Sequence, residues 1–156
     1  MAPLVSRIRR HPSELDAVVV ATAQHRQMLD SVLHIFSIRP DHDLDLMRPD
    51  QDLFHVTSRG LTELGAVLKK VRPHLVLVQG DTTTSLVGAM AGFYLKIPIG
   101  HVEAGLRTRC KHNPFPEEMN RHLVSVMADV HFAPTVKARR NLLDEGVPAR
   151  RILVTG

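Results

Sequence analysis

A doubly wound α/β domain built on a parallel, Rossmann-like sheet is the fold class this sequence predicts. Two observations carry it. Helical and strand patterns alternate along the chain, which implies parallel strands joined by helical crossovers. The strand candidates are also continuously apolar, as a sheet covered on both faces requires. At 156 residues the chain has single-domain length, enough to bury about two-thirds of its unfolded surface.

Residues 3–10 read as the tail of a short helix. DAVVVAT (16–22) is a β-branched run and reads as a buried strand. Met28, Leu29, Val32, Leu33 and Phe36 then recur at helical spacing, and Leu44 and Leu46 alternate with aspartates as a brief edge strand would. From 51 to 72, Leu53, Leu61, Leu64, Leu68 and Val71 form one helical stripe that Pro73 stops. Beyond it come a strand at 75–79, a helix at 83–95, a strand at 97–102 and a helix at 116–128. A strand at 130–133, a helix at 135–145 and the start of a strand at 152–154 complete the series.

Composition narrows the function classes. Apolar residues make up 44% and charged residues 23%, ordinary values for a globular chain. No apolar stretch approaches the roughly 20 residues needed to span a bilayer. The N-terminus lacks the apolar core of a signal peptide, so a cytoplasmic protein with no membrane partner is expected. The single Cys110 rules out an internal disulfide and reads as an incidental thiol. A net charge of +4, short basic clusters at 7–10 and 150–151, and 4% aromatics without tryptophan argue against nucleic acid as a partner.

Ligands of open parallel sheets bind beyond the carboxyl ends of the strands. There the chain places Gly80-Asp81-Thr82-Thr83-Thr84, Glu103-Ala104-Gly105-Leu106-Arg107 and Ala23-Gln24-His25-Arg26. Asp81 has two readings: cap of the following helix, a job Thr82 or Thr83 could share, or an acid beside an anion site. Glu103 is either ion-paired, with Arg107 and Arg109 nearby in sequence, or set for proton transfer. Glu117-Glu118 opens a helix after two prolines, where acids favour the helix dipole. The same pair could join the other carboxylates in acid–base work. No Walker A loop, G-x-G-x-x-G fingerprint, H-E-x-x-H or Cys/His array occurs, so neither a metal nor a cofactor is assigned.

GDTTTS (80–85), GHVEAGLRT (100–108), PFPEEMNR (114–121) and TAQHRQML (22–29) together closely resemble the non-hydrolysing UDP-N-acetylglucosamine 2-epimerases. The resemblance runs from Met1 to Gly156 and implies interconversion of UDP-N-acetylglucosamine (UDP-GlcNAc) and UDP-N-acetylmannosamine (UDP-ManNAc). UDP would be eliminated in an anti sense to give 2-acetamidoglucal and then added back with inversion at C2. Asp81, Glu103 and Glu117 match the family's catalytic carboxylates. Arg121 would organise those acids or the sugar, with Glu118 the structural partner of the acid pair. Gln24, His25 and Gln27 match a segment contributing to an allosteric site for a second UDP-GlcNAc. The family is generally dimeric and resembles two-domain nucleotide-sugar glycosyltransferases of the B type, with the active site in the cleft.

On this resemblance, residues 1–156 are the N-terminal Rossmann-like domain. A first strand, lying between 16–22 and 75–79, and the C-terminal UDP-binding domain are expected to be absent. The expectation is therefore an N-terminal fragment, inactive alone and destabilised unless another chain supplies the strand. The alternative is a non-catalytic remnant or subunit that binds a partner chain or nucleotide sugar.

Overall fold

The computed structural model describes residues 1–22, 26–46 and 52–156. They form two compact units, 1–56 and 57–156.

The first unit opens with α1 (Ala2–Ile8), followed by β1 (Val20–Ala21), α2 (Arg26–Ile35) and β2 (His42–Asp43). Parallel pairing sets Val20 against His42 and Ala21 against Asp43. The strand expected over 16–22 contracts to two residues. Hydrogen bonding continues past the ladder, however: the Ala21 and Thr22 carbonyls accept the Leu44 and Leu46 amides, each at 2.9 Å. The apolar signal at Leu46 is core burial, since its side chain is 1% exposed. The regular ladder itself lies just before it.

α3 (Leu53–Val71) leads into the second unit, which continues β3 (Val76–Gln79), α4 (Thr83–Tyr94), β4 (Ile99–Val102), α5 (Glu117–Met127), β5 (Val130–Ala133), α6 (Val136–Asp144) and β6 (Ile152–Val154). Its sheet has the order β3-β4-β5-β6 with every pairing parallel. The α/β class and the alternation of elements are as the sequence predicts. Among the described residues β1 pairs only with β2 and β3 only with β4, so the parallel strands make two sheets.

Close packing explains the composition of α4. A Cβ on Gly88 would stand 3.0 Å from Val78, and one on Gly92 would stand 3.3 Å from Ile99. Only a helix of small residues lets its backbone approach the sheet so nearly. Val78, Ala89, Ile99, Val124 and Ala128 form one core cluster on that face. Ala104, Ala133, Ala138, Leu142 and Ile152 form a second, around α6 and β6. The opposite face is less covered than the continuous apolar runs suggest: Leu75 is 43% exposed and Leu153 50%. Among the described residues no helix is long and apolar enough to cross a membrane.

Candidate functional site

Gly80 takes the chain out of β3 at φ +69°, a conformation glycine adopts without strain. Its N–H still donates to the Val102 carbonyl at 3.0 Å, so the turn stays tied to the sheet. Asp81 is the next residue. The cap of α4 is Thr82, whose Oγ1 accepts the Ser85 N–H at 3.3 Å, and Asp81 is free of that duty. Its carboxylate instead pairs with the Arg121 guanidinium. Its carbonyl accepts Asn120 Nδ2–H at 2.8 Å.

Glu103 ends β4 in an unusual backbone state, φ +65°. Such a conformation costs a non-glycine residue about 1–3 kcal/mol and persists only where the surroundings impose it. Here Ala104, fully buried, donates its N–H to the Phe132 carbonyl at 3.0 Å. Gly105, at φ +90°, lies so close to α6 that a Cβ would meet the Ala138 carbonyl oxygen at 2.3 Å. These contacts hold the turn and leave Glu103 exposed. Its Oε2 accepts Gln79 Nε2–H at 3.2 Å and lies 3.5 Å from where a Gly80 Cβ would be. Arg107, the ion partner the sequence offered, is committed elsewhere. It forks onto Glu145 through two 2.7 Å bonds and donates to Ser125 Oγ at 3.0 Å.

α5 supplies the third side of the site. Glu118, 1% exposed, accepts the Thr108 and Arg109 amides at 3.1 and 2.9 Å. It also accepts Arg121 Nη1–H at 3.1 Å. Burial is the largest single influence on its pKa and would raise it. The two amides and Arg121 together outweigh that, holding the carboxyl below its ordinary 4.5. Arg121 thus bridges Glu118 and Asp81. Glu117, partly exposed, begins the same helix. It stands three and four positions before Asn120 and Arg121, hence on the helix face that meets Asp81.

The second unit therefore brings Asp81, Glu103 and the Glu117 face of α5 to the carboxyl ends of two adjacent strands. Sequence reasoning missed Asn120 and the ring of His101, described below. Their signal was their place within PFPEEMNR and GHVEAGLRT rather than any residue-type pattern. Gln24 and His25 lie outside the described residues, and Gln27 is described only as part of α2. Among the described residues no three His, Cys, Asp or Glu side chains assemble as a metal-ligand set.

The sequence model of the family described as UDP-N-acetylglucosamine 2-epimerase matches residues 6–156. The chain belongs to this family. Over all 156 residues it is 53% identical to the UDP-N-acetylglucosamine 2-epimerase of Bacillus subtilis (strain 168), of which it covers 41%. The whole chain superposes with TM-score 0.96, at 47% identity, on 42% of the Neisseria meningitidis UDP-GlcNAc 2-epimerase, a structure bound to UDP-GlcNAc. It is also similar, with TM-score 0.89 and 34% identity over 99% of its length, to 43% of the Methanocaldococcus jannaschii UDP-GlcNAc 2-epimerase in complex with UDP-GlcNAc and UDP. The chain thus spans about two-fifths of these epimerases.

Proposed function

We propose that this chain is the proton-transferring part of a UDP-N-acetylglucosamine 2-epimerase, with Asp81, Glu103 and Glu117 sharing the acid and base roles. The observation that carries the reading is the Arg121 bridge. Arg121 reaches Asp81 from α5 and so brings the Glu117 face toward Asp81 and Glu103.

The chemistry explains why carboxylates are needed on more than one side. In the forward step the C1–O bond to UDP begins to break first, because the C2 hydrogen is not itself acidic. A carboxylate removes the C2 proton, the C2–H electron pair becomes the C1=C2 bond of 2-acetamidoglucal, and UDP leaves with the C1–O pair. A protonated carboxyl on the opposite face then delivers a proton to C2 as UDP re-forms the C1–O bond, giving UDP-ManNAc. A fixed pair of acids, one per face, performs both halves. Arg121 keeps the Asp81 carboxylate in place throughout.

The remainder of the site, including the UDP contacts, belongs to sequence matching the other three-fifths of the relatives. On this reading the substrate is the nucleotide sugar, and a UDP-binding domain completes the site. Homodimeric assembly, a cytoplasmic location and an effector role for Gln24, His25 and Gln27 belong to the same reading. Its test is a chimera in which this chain replaces the matching portion of the Bacillus subtilis relative. Asp81→Asn, Glu103→Gln and Glu117→Gln should each lower UDP-ManNAc formation by about 100-fold or more. If all three variants kept wild-type rates, the carboxylates would have no part in the chemistry.

A further inference from the structure

His101 is fully buried in β4, beneath the two carboxylate-bearing turns, and the proposed proton transfers do not use it. Its Nε2 lies 2.8 Å from the Gly80 carbonyl oxygen. A carbonyl can only accept, so Nε2 carries the hydrogen. Nδ1 is buried with no hydrogen-bond partner. A leucine would fill the same kind of position without an orphaned nitrogen. The one polar contact the ring makes is with Gly80, and that contact has a consequence for the site. The Gly80 carbonyl belongs to the peptide group that continues into the Asp81 amide, and this group moves as a rigid plane. Gly80 is already held through its N–H by Val102. The ring holds the other end.

We propose that His101 is a positioning residue: its Nε2–H fixes the Gly80–Asp81 peptide plane, so that Asp81 meets Arg121 and lies beside Glu103. The inference rests on the epimerase reading for its catalytic consequence but not for its structural one. The charged and titratable groups around the ring are Arg107, Asp81 and Glu103, with His131 directly opposite on β5. Burial lowers the His101 pKa, and Arg107 lowers it further. The Gly80 bond and the two carboxylates oppose this without cancelling it. The ring therefore stays neutral near pH 7, and the Nε2–H tautomer defines the bond.

Two experiments test this and separate it from the epimerase reading. In the 156-residue chain, nitrogen-15 NMR of the His101 ring should report the Nε2–H tautomer. His101→Leu should shift the Gly80 carbonyl carbon and the Asp81 amide, while His101→Gln, which retains a donor, should restore them toward wild type. An Nδ1–H tautomer, or unchanged Gly80 and Asp81 signals in His101→Leu, would overturn the proposal. In the chimera, His101→Leu should lower kcat by about 100-fold with KM little changed, the scale of a small misplacement of a reacting group. His101→Gln should recover most of that loss. Equal kcat losses in both variants, or a change in KM alone, would contradict positioning. Should wild-type chimera show no epimerisation, the epimerase reading fails, and the NMR experiment still decides the role of His101.

Discussion

Arg121 has more at stake than any other side chain in the site. It spans a fully buried acid, Glu118, and a partly exposed one, Asp81, and only a planar fork reaches two carboxylates at once. Lysine keeps the charge and loses the fork. Arg121→Lys is therefore expected to cost roughly 1–3 kcal/mol, as a buried carboxylate loses its partner, and urea unfolding of the chain would measure it. In the chimera the same change should lower kcat as Asp81 loses its anchor. An unchanged midpoint with unchanged activity would mean that the bridge is incidental. The sequence suggests a part for Arg121 only through the resemblance. The i, i+3 and i, i+4 spacing places Glu117, Asn120 and Arg121 on one face but does not say what that face meets. Asp81 shows the same limit: its position in the sequence suits capping as well as catalysis, and the structure gives the cap to Thr82.

Paired strands carry a further consequence. His101 on β4 and His131 on β5 are directly opposed, and both are almost wholly buried. Burial, followed by the neighbouring His101 and Arg107, lowers the His131 pKa from 6.5 to about 4. A histidine that resists protonation when folded protonates freely once unfolded. Below pH 6.5 the unfolded state thus binds more protons, and stability falls until about pH 4, where both states are protonated. A shift of this size corresponds to about 3 kcal/mol. The Glu118 pKa is lowered, so its contribution is present above the ordinary carboxylate range and lost as pH falls. Both effects run the same way. Denaturant midpoints should decline steadily from pH 7 to pH 4, and His131→Gln should flatten the upper part of that decline. A pH-independent midpoint would contradict the buried, neutral histidine pair. Sequence alone could not pair these residues, because register depends on which strands adjoin.

The close approach of the β4 turn to α6 is a second feature at this scale. Gly105→Ala would place a methyl group against the Ala138 carbonyl oxygen at a positive φ. Backbone strain of about 1–3 kcal/mol and overpacking of about 1–3 kcal/mol should add, and thermal unfolding should show a lower Tm. An unaltered Tm would mean that the turn relaxes freely, which would also undermine the imposed conformation of Glu103.

For the molecule as a whole, the order of helices and strands was legible from apolar periodicity because the helices and the strands of the second unit run long enough to show their pattern. The split of the strands into two sheets was not. A two-residue ladder such as β1–β2 leaves little trace in composition, and pairing partners are set by tertiary structure. The carboxylates at the strand ends were likewise readable as candidates, but their assembly required the α5 face to be located. The measurement that bears most directly on the central claim is deuterium incorporation at C2. The chimera carrying this chain would be incubated with UDP-GlcNAc in D₂O and followed by proton NMR. The account predicts deuterium at C2 in the manno product, lost on Glu117→Gln while nucleotide-sugar binding persists. Epimerisation that retains the original C2 hydrogen, or exchange unaffected by substituting any of the three carboxylates, would contradict it.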